Sequence, residues 1–338
     1  MYTISNRRYT GSKYKLLDWI EQLIKENCPG NIFFDVFAGT GVVSDRMKNS
    51  FQTIIMNDFL YSNETIYKAF FGSGKYRTDL IEEFKTKYRS IDPEKIKENY
   101  FSNNFGGKYF SNNDAKIIGY IRTDIETNKT VLSDREYCIL IASLLYSTDK
   151  VANTVGHYDA YRKIKHIDDR FVFDILEIKK CKNKFRIYRE DSNTLARSIK
   201  ADVAFVDPPY NSRQYSRFYH VLENLTKWEQ PKLEGTALKP PAENMSDYCR
   251  SSAPAAFDDL IQHLNVNYIV VTYNNTYNSK SSSSKNKITL EQIKEILAKR
   301  GYTREFAKHH QFFNAGKTEF DDHKEYVFIT EVGRHEGD

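Results

Sequence analysis

Apolar positions along the chain switch between two periods, and the switches mark its elements. From Tyr14 to Glu26 (YKLLDWIEQLIKE), Leu16, Leu17, Ile20, Leu23 and Ile24 recur three and four apart, which predicts an amphipathic helix. Pro29-Gly30 ends it, and 31–38 (NIFFDVFA) is a short, nearly continuous apolar run of the kind that forms a strand buried on both faces. The next run, 53–56 (TIIM), stops at Asn57-Asp58. Strand, glycine turn, helix and strand in this order open a parallel α/β sheet. Strand signals return at 185–189 (FRIYR), 202–206 (DVAFV), 267–273 (NYIVVTY) and 325–332 (EYVFITEV).

Between these two sets, residues 72–183 read differently. Charged helical stretches at 80–90, 134–147 and 168–180 surround a Gly/Asn-rich patch at 102–113 (SNNFGGKYFSNN). The simplest parse is one α/β domain made from 1–71 and 184–338, interrupted by a mainly helical insertion, 72–183. A Ser/Lys tract at 279–287 (SKSSSSKNK) has no apolar anchor and reads as a mobile loop.

Composition narrows the class. The chain has 338 residues, 40% of them hydrophobic and 28% charged, enough to bury a core without disulfides or a structural metal. Formal charge is +5, which is compatible with a polyanionic partner. Its distribution is more informative: Gly72 to Glu190 holds 23 Lys and Arg against 18 Asp and Glu, the whole net excess. Cys28, Cys138, Cys181 and Cys249 form no close pair, which excludes CxxC motifs and fits a reducing compartment. No stretch reaches the ~20 apolar residues of a membrane span, and Met1 to Lys15 lacks the apolar run of a signal peptide. A cytoplasmic location is expected. The 14% aromatic content fits an AT-rich genome and needs no functional reading.

Three strand-end signals carry candidate chemistry. Asp35-Val36-Phe37-Ala38-Gly39-Thr40-Gly41 closes the first strand, where glycines let backbone approach a cofactor. Ser44 stands at the third glycine position of the dinucleotide fingerprint, which argues against NAD. Asp58 closes the second strand, placed to accept hydrogen bonds from ribose hydroxyls or to cap a helix. Asp207-Pro208-Pro209-Tyr210 follows the strand at 202–206. Its prolines fix the turn, its aspartate and carbonyls offer acceptors to an amino group, and its tyrosine offers a π-face to a planar base.

In this order of motifs the chain resembles the S-adenosylmethionine-dependent amino methyltransferases of DNA, and among them the adenine-N6 enzymes of the Dam-like (D12) group. Tyr9-Thr10-Gly11-Ser12-Lys13, the Asp35–Gly41 turn, Asp58, Glu190-Asp191-Ser192 and Asp207–Tyr210 carry the resemblance, and 207–225 (DPPYNSRQYSRFYHVLENL) further resembles modification methylases of FokI-type systems. The group often has Trp where Tyr9 stands, and 72–183 resembles nothing recognised.

The resemblance implies a Rossmann-like methyltransferase sheet of seven mostly parallel strands, with 72–183 as a target-recognition region. It implies S-adenosylmethionine held by Tyr9, Lys13, Asp35, Phe37, Gly39, Gly41, Asp58, Asp191 and Asp207. It implies no metal, and a catalytic turn of Asp207, Pro208, Pro209 and Tyr210. There Asp207 and the Pro208 carbonyl accept from the target amine, and Tyr210 stacks on a base flipped out of the duplex. The partner it implies is double-stranded DNA, acted on by a monomer at the bacterial nucleoid, with a restriction endonuclease as functional counterpart.

Arg213 and Arg217, which flank the turn, are candidate phosphate contacts. His309-His310 and the pair His220 and Glu223 read as structural: the first as a surface dipeptide, the second as an i, i+3 helix contact. Rival readings are a cytosine-N4 methyltransferase, an RNA or protein-glutamine methyltransferase, and a non-catalytic DNA-binding protein that keeps the fold.

Overall fold

The computed structural model describes residues 1–275, 285–309 and 324–334. Its described residues pack as two compact units. One comprises Met1–Ser12, Phe59–Ile187 and Tyr215–Asn244; the other comprises Lys13–Asp58, Tyr188–Gln214 and Met245–Asp338.

Seven strands form one mixed sheet: β1 (Ile32–Asp35), β2 (Thr53–Asn57), β3 (Lys184–Tyr188), β4 (Val203–Val206), β5 (Tyr268–Asn274), β6 (Gly301–His309) and β7 (Lys324–Val332), in the order β3-β2-β1-β4-β5-β7-β6. β1 runs parallel to both β2 and β4, and β4 parallel to β5; β7 is antiparallel to β5 and to β6. The order reverses between β1 and β4, and the crevice at such a reversal is where open α/β sheets bind ligands. All four residues of β4 are buried, which matches the uninterrupted apolar run Val203–Val206.

On one sheet face, Phe34, Val36, Ala204, Val206, Ile269 and Val271 pack under the helices at Ser192–Ala196, Ala253–His263 and Leu290–Ala298. On the other, Phe33 packs on Phe51 and Phe205, with the helices Leu17–Asn27 and Val42–Met47 contributing buried Ile20, Ile24, Val43 and Met47. Gly30 is required just before β1: a Cβ there would come within 2.4 Å of the Asp202 Cβ.

The other unit is helical. The expected insertion, 72–183, lies wholly within it, but the unit reaches further than expected. The helix Tyr61–Phe71 buries Ile66, Tyr67, Ala69 and Phe70 there, and Glu223 ties its start by accepting from the backbone N–H groups of Tyr61 and Ser62 at 3.0 and 2.8 Å. The sheet unit therefore begins losing chain after Asp58, not after 71, and cedes 1–12, 184–187 and 215–244.

Two expected helices, 80–90 and 134–147, are present as Thr78–Arg89 and Asp134–Val151. The third, 168–180, is extended. Phe173, Ile175 and Leu176 are buried and Val172 is exposed, which is not the spacing of one helix face. Its backbone is satisfied from outside, by Asp114 accepting from the N–H groups of Arg170 and Phe171 and by a two-way exchange with Tyr2. Of the Ser/Lys tract, 279–284 lies outside the described residues, as does His310. No described helix is long and apolar enough to cross a membrane.

Candidate active site

The carboxyl ends of β1, β2 and β4 place the sequence-predicted acids together in the sheet unit. After β1 the chain turns through Gly41, whose φ of 78° suits glycine and starts the helix Val42–Met47. Asp35 is 1% exposed and accepts from the Ser44 hydroxyl at 2.7 Å. Ser44, which removes the dinucleotide fingerprint, thus serves this carboxyl. Burial pushes Asp35 up to about 7; the Ser44 hydrogen bond opposes this, and Asp207 and Asp58 add to it.

Asp58 accepts from the Gly39 N–H at 2.9 Å, so it holds the glycine turn to the end of β2. Asn57, fully buried beside it, does the same for the next loop: its amide donates to the carbonyls of Val36 and Glu190 and accepts from the Glu190 N–H. Asp191 caps the helix Ser192–Ala196, accepting from the Thr194 N–H at 2.9 Å. Half-buried Phe37 meets Tyr248 edge to face at 5.0 Å, and the Tyr248 hydroxyl donates to Asn193 at 2.7 Å.

Asp207 leaves β4 with both carboxylate oxygens engaged. Lys13 Nζ donates to Oδ2 at 2.5 Å, and the Thr272 hydroxyl of β5 donates to Oδ1 at 2.7 Å. Burial works against the Lys13 ammonium, but Asp207, Glu325 and Asp35 outweigh it and raise its pKa. Glu325, at the start of β7 and 6% exposed, is pushed up to about 7 by burial, with Lys13 pulling it down and Asp207 pushing it up.

Tyr210 points inward. It is 7% exposed, its hydroxyl donates to the Thr272 carbonyl at 2.6 Å, and its ring meets Tyr273 edge to face at 5.0 Å. Burial, then Asp207, push its pKa far above the usual phenol range. In this structure Tyr210 is a wedge holding the turn on β5, not an open stacking platform.

The remaining sequence candidates divide between the units. Tyr9 belongs to the helical unit, stacked on Tyr219 at 4.6 Å with Arg7 over its ring at 5.1 Å. Arg217 is also there, donating to the Pro240 carbonyl at 2.6 Å and lining a cavity of about 280 Å³ with Asn224, Lys227 and Glu243. Arg213 lies in the sheet unit, where its N–H donates to the Asn211 side chain at 3.0 Å. His220 is buried between the carbonyls of Arg217 and Ala237, and burial lowers it to about 4. A ring in that position is a structural group.

Asn57, Thr272 and Glu325 were not legible as site residues. Thr272 sits inside an apolar strand run and Glu325 at the edge of one, and the available signal was a charged or hydroxyl residue on a largely buried strand.

A family model described as D12 class N6 adenine-specific DNA methyltransferase matches residues 9–277, from the Tyr9 motif through β5. The chain belongs to this family. It is 34% identical to the modification methylase LlaI of Lactococcus lactis subsp. lactis over 79% of this chain and 46% of that one. It is 29% identical to the type II methyltransferase M.FokI of Planomicrobium okeanokoites over 95% of this chain and 52% of the relative. The chain thus spans about half the length of these two relatives. With the type II methyltransferase M.NlaIII of Neisseria lactamica it shares 29% identity over 96% of this chain and 98% of the other.

Proposed function

We propose that this chain transfers a methyl group from S-adenosylmethionine to the N6 amino group of adenine in a specific duplex DNA sequence, as the modification enzyme of a restriction system. The observation that carries the reading is Asp207: a carboxylate fixed by Lys13 and Thr272 at the end of β4, on the sheet's switch point, in the Asp-Pro-Pro-Tyr turn of its family.

The donor set suits the cofactor. S-adenosylmethionine presents a cationic ammonium, a sulfonium and ribose hydroxyls, and the strand ends present Asp35, Asp58 and Asp191 with the Phe37 ring. A carboxylate has about four acceptor positions, so Asp58 can hold Gly39 and take a ribose hydroxyl as well. Asp191 would lie by the adenine ring, and Lys13 would close the pocket. The bound cofactor supplies an activated methyl group.

The chain's own residues do the rest by placement. Asp207 and the Pro208 carbonyl accept from the amine, which draws its nitrogen lone pair out of conjugation with the ring and toward the methyl carbon. An acceptor aimed at charge that develops in the transition state accelerates transfer without a covalent intermediate. Asp at this position, where cytosine-N4 enzymes commonly have Ser, favours adenine over the cytosine alternative. Expression in a host whose DNA carries no N6-methyladenine should introduce it at one short sequence. Genomic DNA left unmethylated by soluble protein contradicts the reading.

Two expected outcomes follow from the assigned roles. Asp58→Ala should weaken S-adenosylmethionine binding by about 1.5–3 kcal/mol, one charge-assisted hydrogen bond, in titration calorimetry; unchanged affinity in folded protein removes Asp58 from the cofactor site. DNA recognition is assigned to the helical unit, which carries the basic excess of 72–183. DNA affinity should fall by about 0.9 log unit per phosphate contact for each tenfold rise in salt. Exchanging 72–183 for a relative's matching segment should change the methylated sequence, and an unchanged sequence would place recognition elsewhere.

A further inference from the structure

Glu325 is a buried carboxyl group on a strand whose next four residues, Tyr326 to Ile329, are aromatic or apolar. It is the second residue of β7, 6% exposed, directly opposite Asn274 of β5. Side chains alternate along a strand, and residues paired directly opposite share a face. Glu325 therefore shares the sheet face of Thr272, two residues before Asn274, whose hydroxyl holds Asp207.

Among the charged groups that act on Glu325 are Lys13, from the segment before the first helix, and Asp207, from the turn after β4; Glu325 in turn acts on Tyr210 of that turn. Lys13 responds first to Asp207 and next to Glu325, with Asp35 behind them. A single ammonium is thus shared by carboxyl groups from three strand ends.

This arrangement poses a problem for Asp207 as acceptor. Its Oδ2 carries the Lys13 ammonium at 2.5 Å and its Oδ1 the Thr272 hydroxyl. An ammonium at hydrogen-bond distance competes directly with an incoming amine for the same oxygen. Moving that cation into a pocket without a second carboxylate would strand a buried charge. We propose that Glu325 is a positioning residue: a second counter-ion, on the Thr272 face, that receives the Lys13 ammonium and frees Asp207 Oδ2 for the target amine. No bond to carbon changes in this step; one ammonium exchanges one carboxylate partner for another. The proposal rests on the reading of Asp207 as the acceptor.

Only ionised Glu325 can receive the cation. Its midpoint of about 7 places this exchange within the working range of pH. The test follows Lys13 directly. In protein labelled with ¹³C-lysine, the Lys13 side-chain resonance is assigned by its loss in Lys13→Arg. It should titrate with a midpoint of about 7 in the wild type. Glu325→Gln should remove most of that amplitude, and Asp35→Asn should leave most of it. In single-turnover assays saturated with cofactor and DNA, Glu325→Gln should slow transfer by about ten- to a hundredfold. It should also lose the wild-type rise in rate through neutral pH, with cofactor and DNA affinities little changed. Glu325→Asp should restore part of the rate.

A Lys13 titration and a pH–rate profile that are the same in wild type and Glu325→Gln overturn the proposal. If Glu325→Gln does not fold, Glu325→Asp takes its place: it should move the Lys13 midpoint, and an unmoved midpoint overturns the proposal. Absence of methyl transfer by the wild type would sink the methyltransferase reading alone, because the Lys13 titration needs no turnover.

Discussion

Replacing Asp207 with Ala should lower the rate of methyl transfer by about a hundredfold to a thousandfold or more, the loss expected when one preorganised electrostatic partner of a transition state is removed. The affinity for DNA should change little. The effect is large because Asp207 has two jobs. In the proposed reaction it accepts from the amine, and in the structure it anchors the turn to Thr272 and Lys13 through both carboxylate oxygens. The second job complicates the measurement, since Asp207→Ala leaves a largely buried ammonium without its nearest carboxylate and so destabilises the fold. Asp207→Asn separates the two. It keeps the shape and one acceptor oxygen but not the charge, and should transfer slowly while melting closer to the wild type than Asp207→Ala does. Rates at the wild-type level in folded Asp207→Ala would show that the acceptor lies elsewhere.

Tyr210→Ala should be the most damaging substitution for stability in the catalytic turn. Truncating a buried aromatic ring costs about 3–5 kcal/mol, equivalent to a melting temperature lower by roughly 10 °C for a unit of this size. The ring is packed in the cluster with Ala204, Val206 and Val271, and its hydroxyl is spent on the Thr272 carbonyl. Tyr210→Phe keeps the packing and loses about 1 kcal/mol with the hydrogen bond, so it should retain much of the activity. Stacking on a flipped base would instead cost Tyr210→Ala about 1–3 kcal/mol in base capture, read by 2-aminopurine fluorescence at the target position. If Tyr210→Ala melts like the wild type but fails to flip the base, Tyr210 leaves the core on binding DNA and acts as the platform. If it melts early and flips normally, the tyrosine is a wedge and nothing more.

The contrast between Asp207 and Tyr210 shows how much of the site the sequence discloses. Strand ends were readable because buried parallel strands are continuous apolar runs and their first polar residues stand out: Asp35, Asp58 and Asp207 all fall where expected, at the ends of β1, β2 and β4. The direction of a side chain leaving a turn is not encoded that way. Tyr210 and Asp207 are neighbours in one rigid tetrapeptide, yet one is held out toward Lys13 and the other driven under β5. The partner common to both, Thr272, lies 62 positions from Tyr210 and 65 from Asp207, on a strand that pairs antiparallel with β7.

The same limit explains the fold. Helices with strong periodicity at 14–26, 80–90 and 134–147 were legible. The segment 168–180 has enough apolar residues for a helix, but its backbone groups are taken by Asp114 and Tyr2 from far along the chain. The compact units divide at Asp58 rather than at the expected 71 for a related reason. The helix Tyr61–Phe71 looks in sequence like the next helix of an α/β repeat, and only its packing and its Glu223 cap assign it to the helical unit.

The most direct measurement of the central claim is chemical. Purified chain is incubated with methyl-labelled S-adenosylmethionine and unmethylated duplex DNA, the DNA is digested to nucleosides, and the labelled product is identified by mass spectrometry. The account predicts N6-methyldeoxyadenosine formed by the wild type and lost in Asp207→Ala. Label in N4-methyldeoxycytidine, or no label in DNA at all, would contradict it.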